Sequence, residues 1–326
     1  MVPEIELLRD QSLLPPMRHP ADFAGDPDFR RTPEQEAQFD ALLNEAEVLY
    51  GIPDVDPQRL AKVVEANPEL RWVHVMAAGG GRRAGQGGRT LFRGAGAGDV
   101  YHLGRRTWRA AGGIRRVRRA GGRQAAAAHH GQRDHHWGDR WMMGQISEQT
   151  VLILGLGGIG REVARRLSLL DMHVLGVSRQ QRMVPHVDEI IAPSQLRDAV
   201  RRADAIVIAL PGTDATEGWI DAELLAEMKP GVTIVNVGRG TVIDEPALIE
   251  ALQREHVGLA VLDVTASEPL DNASPLWDMP NVLLTPHTAA LSDAEDRLIA
   301  EFFADNARRY LNGEALRNRV DTVEFY

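Results

Sequence analysis

The chain has 326 residues, with 37 Lys plus Arg against 46 Asp plus Glu, a formal net charge of −9 and no cysteine. That length accommodates two domains, each with its own core. The acidic balance gives no general reason to expect nucleic-acid binding, and the lack of cysteine excludes disulfides and thiolate zinc sites.

The opening MVPEIELLRD has no basic segment followed by an apolar one, so no signal peptide is expected. No apolar run approaches the roughly 20 residues of a membrane span. The expectation is a cytoplasmic protein with no membrane partner. In the first 80 residues, EAEVLYGI and LRWVHVMAAG read as strands. TPEQEAQFDALL and DPQRLAKVVEANP read as helices begun by Thr32 and Asp56 as caps.

The pattern then breaks. Gly81 to Gln132 holds 12 Arg and 13 Gly but a single acidic residue, Asp99, and its hydrophobic periodicity vanishes. Two histidine pairs follow, His129/His130 inside this stretch and His135/His136 beyond it. The second pair reads as a polar helix end before Trp137, and no metal site is expected.

From Val151 onward the order returns. VLIL is a buried strand, GLGGIG (Gly155 to Gly160) a turn, and REVARRLSLL a helix with an apolar face. In a strand, turn and helix of this kind, Gly155 makes the tight turn. Gly157 lets backbone approach a pyrophosphate, and Gly160 lets helix pack on strand. With Gly158 and Ile159, these residues place a diphosphate at the helix N-terminus. An ordinary strand-to-helix turn is the alternative. The next strand, HVLGVSR, ends in Ser178 and Arg179, with Arg182 close behind. A site for NAD usually carries Asp or Glu about 20 residues past the glycines. Here no carboxylate stands to repel a 2′-phosphate, and a guanidinium can grip one. NADP is therefore favoured over NAD, with a solvated arginine turn as the alternative. AIVIAL, VTIVNV, GLAVLDV and NVLLT follow as further strands, so this half reads as a doubly wound parallel α/β sheet. DAEDRLIAEFFADNARRYL closes the pattern as an amphipathic helix.

Three more motifs lie at the ends of those strands: NVGRG (Asn236 to Gly240), LDVTASEPL (Leu262 to Leu270) and TPHTA (Thr285 to Ala289). They supply Arg239, Glu268 and His287. A histidine can give a proton at neutral pH, a carboxylate can stabilise the imidazolium and orient the ring, and the planar fork of arginine suits a carboxylate.

In this order the motifs resemble those of the D-isomer-specific 2-hydroxyacid dehydrogenases, in particular the glyoxylate and hydroxypyruvate reductases. The resemblance covers at least Arg140 to Leu291, and more loosely the first 78 residues. It implies that Arg239 binds the substrate carboxylate and carbonyl, that His287 is the acid/base on the C2 oxygen, and that Glu268 hydrogen-bonds that histidine. It also implies that Asp263 faces the nicotinamide carboxamide and that Pro211 lines the cofactor site. The implied architecture is a Rossmann nucleotide-binding domain (101–289) plus a smaller flavodoxin-like catalytic domain built from both chain ends (1–100 and 290–326). The active site would lie between the two, and the assembly would be a homodimer. The implied activity is hydride transfer between NAD(P)H and a small 2-keto or 2-hydroxy acid. Glu268 argues against a formate dehydrogenase, where the histidine's partner is typically an amide. The short stretch after His287 leaves no room for the regulatory domain of longer phosphoglycerate dehydrogenases. A non-enzymatic alternative is a dinucleotide-sensing corepressor, which can retain the same three residues.

The resemblance also bears on Gly81 to Gln132, where the family has its interdomain crossing and a long helix. Three readings compete: a basic segment for nucleic acid or acidic partners, a divergent insertion, or a frameshifted stretch, and the genetic code favours the third. DVYHLGRRTWRAAGGIRRVRRAGGRQ (99–124) can be encoded by codons that, read one base later, give TFTTSAGVHGGPLAEFAVFGVLAGAK, which resembles the family's own segment. The third positions involved are free choices, so this establishes compatibility. Lys62 and Lys229 are the only lysines, which suggests GC-rich DNA with off-frame text rich in Arg, Gly and Ala. On the frameshift reading the stretch carries no selected function, and the chain as written is expected to fold around its nucleotide domain but dimerise and catalyse poorly, with an inactive product as a further alternative.

Overall fold

A computed structural model of the chain describes residues 2–18, 22, 24–75 and 144–318, together with the backbone of 99–102. The chain divides into two compact units, Met1–Thr107 with Leu291–Tyr326, and Trp108–Ala290.

In the first unit, β1 (Val48–Tyr50), β2 (Trp72–Val75) and β3 (Asp99–His102) form a parallel sheet in the order β1-β2-β3. Helix α1 (Pro33–Glu45) starts where Thr32 predicts. The Thr32 hydroxyl accepts from Gln35 N and the Gln35 side chain accepts from Thr32 N, so two helix-start donors are satisfied reciprocally. Helix α2 (Pro57–Ala66) is likewise capped by Asp56, which accepts from Gln58 N at 2.9 Å. Phe39, Leu43, Leu60 and Val63 from these helices bury against Leu49, Val73 and Val75 of the sheet. Each such fully buried side chain contributes about 1.5–3 kcal/mol relative to exposure. Of the arginine-rich stretch, only Asp99–His102 falls among the described residues, in register with Trp72–Val75. The remainder of that stretch, both histidine pairs, and the three readings weighed for them lie outside the described residues.

The second unit begins with β4 (Thr150–Leu154), α3 (Gly158–Ser168), β5 (His173–Val177) and β6 (Glu189–Ile191). It continues with α4 (Leu196–Val200), β7 (Ala205–Ile208), α5 (Ala222–Glu227), β8 (Val232–Asn236), α6 (Glu245–Gln253), β9 (Val257–Leu262) and β10 (Val282–Leu284). All seven strands are parallel, in the order β10-β9-β8-β7-β4-β5-β6. The strands read as nearly unbroken apolar runs because both faces of the sheet are covered. Leu152, Leu154, Ile206, Ile208 and Ile234 point into one core with α4, α5 and α6. Val151, Ile153, Val207 and Val235 point into the other, with Val163, Ala164 and Leu167 of α3. The chain thus forms the doubly wound Rossmann sheet its pattern predicts. The outer face of α3 is salt-bridged: Arg165 and Arg166 both reach Glu162, and the hydrogen bond from Arg165 leads in holding that carboxyl down to about 2.

The last helix, α7 (Glu295–Leu311), belongs to the first unit. Its Phe303 ring meets Tyr50 edge-on at 4.9 Å, and its Tyr310 hydroxyl donates to Glu47 at 2.6 Å. Among the described residues, no helix is long and apolar enough to cross a membrane.

Candidate active site

Strand order in the large sheet reverses between β4 and β7, and in such sheets ligands bind outside the carboxyl ends of the strands at that point. Every motif of the second half lies at one of those ends.

After β4 the backbone turns at Gly155, whose φ of +96° is open to glycine and costly for other residues. A Cβ there would stand 2.9 Å from Ala209 O at the end of β7. Gly160 is more constrained. Its Cβ would lie 1.9 Å from Gly155 O, so only a hydrogen lets α3 start against the turn. Gly157, the helix N-cap, has nothing within 4 Å of its Cβ position. The result is a cradle that is tight on the protein side and open on the outside. The first amides of α3, including Gly158 and Ile159, have no carbonyl partner within the helix. These residues fit a dinucleotide diphosphate. At the end of β5, Ser178 is half-buried and its hydroxyl accepts from Gln180 N at 3.1 Å, which shapes the turn that leaves Arg179 and Arg182 exposed.

The end of β7 links this cradle to the arginine. Pro211 is half-buried, and its carbonyl accepts from the Thr216 hydroxyl at 2.7 Å. A Cβ on Gly212 would press on Arg239 Cγ at 3.1 Å, and one on Gly238 would fall 2.5 Å from Leu210 O. The arginine loop itself is closed by Asn236, which is fully buried. Its Oδ1 accepts from Gly238 N (3.0 Å) and its Nδ2 donates to Arg239 O (2.9 Å). An apolar strand ending in Asn, as VTIVN does here, is the sequence signal for that role. Arg239 Nη1 donates to Gly238 O at 2.7 Å.

After β9 and β10 come the acid/base residues. His287 Nδ1 lies 2.7 Å from Glu268 Oε2, with the two side chains 50% and 39% exposed, so the ring is paired yet reachable. The Glu268–Pro269 peptide is cis. His287 has a φ of +52°, a left-handed conformation that costs a residue with a Cβ about 1 kcal/mol or more. Asp263 holds it there. Its carbonyl accepts from His287 N at 2.8 Å. Its carboxylate, only 6% exposed, accepts from the Thr285 hydroxyl (2.6 Å), Thr288 N (2.9 Å) and Ala289 N (3.0 Å). The side chain expected to face a carboxamide is thus already engaged by the histidine loop. Thr285, like Asn236, is a supporting residue that the sequence reading missed.

The fold therefore strings the predicted residues along adjacent strand ends. Gly155 touches the end of β7, the end of β7 touches the arginine loop, and Glu268 is paired with His287. Among the described residues, no group of three or more His, Asp or Glu side chains is arranged to hold a metal ion.

Comparison with known proteins identifies the family of this fold. Residues 120–289, just over half of the chain, match the family model described as D-isomer specific 2-hydroxyacid dehydrogenase, NAD binding domain. The chain is 38% identical over 204 residues to D-3-phosphoglycerate dehydrogenase of Mycobacterium tuberculosis, a match covering 62% of this chain and 38% of that one. A crystal structure of a D-isomer specific 2-hydroxyacid dehydrogenase from Xanthobacter autotrophicus Py2, in complex with NADPH and MES, superposes with a TM-score of 0.71. It is 30% identical, and the match covers 81% of this chain and 82% of that one. The NADPH-dependent glyoxylate/hydroxypyruvate reductase of Sinorhizobium meliloti, in complex with NADP and sulfate, gives a TM-score of 0.69 at 27% identity, covering 82% and 83% of the two chains. The chain spans between 38% and 59% of the length of the curated relatives it matches.

Proposed function

Because the chain belongs to the D-isomer specific 2-hydroxyacid dehydrogenase family, we propose that it is an oxidoreductase interconverting a small 2-keto acid and its 2-hydroxy acid. Bound nicotinamide dinucleotide supplies or accepts the hydride. The chain's own residues do the rest. Arg239 binds the substrate carboxylate through its planar fork. His287 delivers the proton to the C2 oxygen during reduction and takes it back during oxidation. Glu268 occupies Nδ1, so Nε2 is the nitrogen that faces the substrate, and the carboxylate stabilises the imidazolium. The half-exposed His287–Glu268 pair at 2.7 Å carries this reading, since it joins a proton donor to a charge partner at the end of a Rossmann sheet.

NADP is the proposed dinucleotide. Ser178 leaves the end of β5 without a carboxylate, and Arg179 stands beside it on the exposed turn. The two structural relatives described above hold NADPH or NADP, which supports the same choice.

The test is reduction of glyoxylate and hydroxypyruvate followed through NADPH oxidation, with the parent chain beside His287→Ala. The variant should lose about 10²–10⁴-fold in turnover and keep its dinucleotide affinity. Equal turnover in both would remove His287 from the mechanism. Absence of turnover in the parent on any 2-keto acid, with protein partners captured instead, would favour the corepressor-like alternative.

A further inference from the structure

Glu268 is held from two directions. One carboxylate oxygen meets His287 Nδ1, and the other accepts from Thr265 N at 3.3 Å. The Thr265 hydroxyl donates to Ser267 O at 2.7 Å, closing the loop that carries the glutamate. What holds this loop in place comes from the arginine-bearing segment. A Cβ on Gly240, the neighbour of Arg239, would fall 1.9 Å from both the carbon and the oxygen of the Thr265 carbonyl, and 2.5 Å from Ala266 N. The same Ala266 N–H donates to Glu245 Oε2 at 3.0 Å. The Thr265–Ala266 peptide is thus gripped by backbone at Gly240 and by a carboxylate at Glu245. Glu245 is not the residue that caps α6; Asp244 does that, accepting from Ala247 N at 3.1 Å.

We propose that Glu245 is a positioning residue for the acid/base pair. By fixing Ala266 N–H it sets Glu268 against His287, and it ties that pair to the loop carrying Arg239, so that carboxylate binding and proton transfer keep one register. The inference rests on the oxidoreductase reading and deepens it, assigning a role to a residue that touches neither substrate nor dinucleotide.

Two substitutions in the full chain separate reach from charge. Glu245→Asp keeps a carboxylate in the first turn of α6, favourable to the helix dipole, but is too short to reach Ala266. Glu245→Gln loses the charge and keeps an acceptor at the same reach. Keto-acid reduction is followed across the pH range in which histidine titrates, beside dinucleotide binding by fluorescence and titration of the His287 imidazole by NMR. Glu245→Asp should lower turnover about three- to tenfold and move the high-pH limb of the profile, and the His287 titration, to lower pH. Glu245→Gln should stay close to the parent, and both should bind NADPH as the parent does. An Asp variant with parental turnover and profile, or a Gln variant worse than the Asp variant, overturns the proposal. If the parent reduces no 2-keto acid, the oxidoreductase reading has failed. The His287 titration then decides alone, and an unmoved titration in Glu245→Asp overturns the positioning role.

Discussion

The turn at Gly155–Gly160 and the cluster around His287 sit at the carboxyl ends of strands of one sheet and reach their geometry by different physics. In the turn, side chains are missing where backbone must touch backbone: Gly160 closes on Gly155, and Gly155 closes on the end of β7. No side-chain hydrogen bond caps the start of α3. In the cluster, side chains are present and are held by main-chain amides and carbonyls or by a second side chain. Asp263 collects the Thr285 hydroxyl and two amides, Asn236 closes the arginine loop, and Thr265 donates to Glu268. The turn should therefore fail when an atom is added, and the cluster when a partner is removed.

The largest effect expected from this contrast is at Gly160. Gly160→Val places carbon 1.9 Å from a carbonyl oxygen in the centre of the second unit, and should abolish dinucleotide binding and lower the melting temperature sharply. Gly157→Ala, whose new methyl enters open space, should melt like the parent and still bind dinucleotide weakly. A Gly160→Val protein that binds and melts normally would show that the turn is not governed by that contact.

Asp263→Asn should act next most strongly. One acceptor oxygen is replaced by an amide donor facing the donors of the histidine loop, leaving about 1–3 kcal/mol of unsatisfied hydrogen bonding. Turnover should fall roughly ten- to a hundredfold, while dinucleotide affinity measured by titration holds. If affinity falls as far as turnover, Asp263 serves the cofactor site as well as the histidine loop.

Arg179→Ala should have the smallest effect, since the group is exposed and its contacts are screened. NADPH binding should weaken about tenfold with NADH binding unchanged. Equal weakening of both, or a parent that prefers NADH, would remove Arg179 from the choice of dinucleotide.

The same contrast separates what was legible in the sequence from what was not. Val151–Leu154 and Ile206–Ile208 announce themselves because both faces of their sheet are buried, and Thr32 and Asp56 because a cap acts within its own turn. The motifs marked Arg239, Glu268 and His287 because their chemistry is carried by residue type. The supports were harder to see. Glu245 and Thr285 act on an amide and a carboxylate of other segments, which become neighbours only after the sheet forms, and Asn236 acts on its own loop only in the turned conformation that loop adopts. The left-handed backbone of His287 has no signature in the letters TPHTA. Asp99–His102 shows no strand pattern of its own within the arginine-rich stretch, and its strand is defined by pairing with Trp72–Val75.

The position of β4 has a consequence for the rate at which the nucleotide crevice can come into being. Thr150 pairs on one side with His173, close by in the chain, while its amide bonds Asp204 on the other, 54 residues away. The half-sheet of β4, β5 and β6 can assemble from near neighbours, whereas β7 must wait for a longer loop to close, and parallel pairings of this kind form slowly. Ala209, the residue that walls the glycine turn, arrives only with that late strand. A dinucleotide that binds there therefore finds only part of its wall in the early half-sheet, which carries the amides of α3 and the Ser178–Arg179 turn but not Ala209. Its full stabilisation is exerted on the finished fold, where it slows unfolding more than it speeds folding.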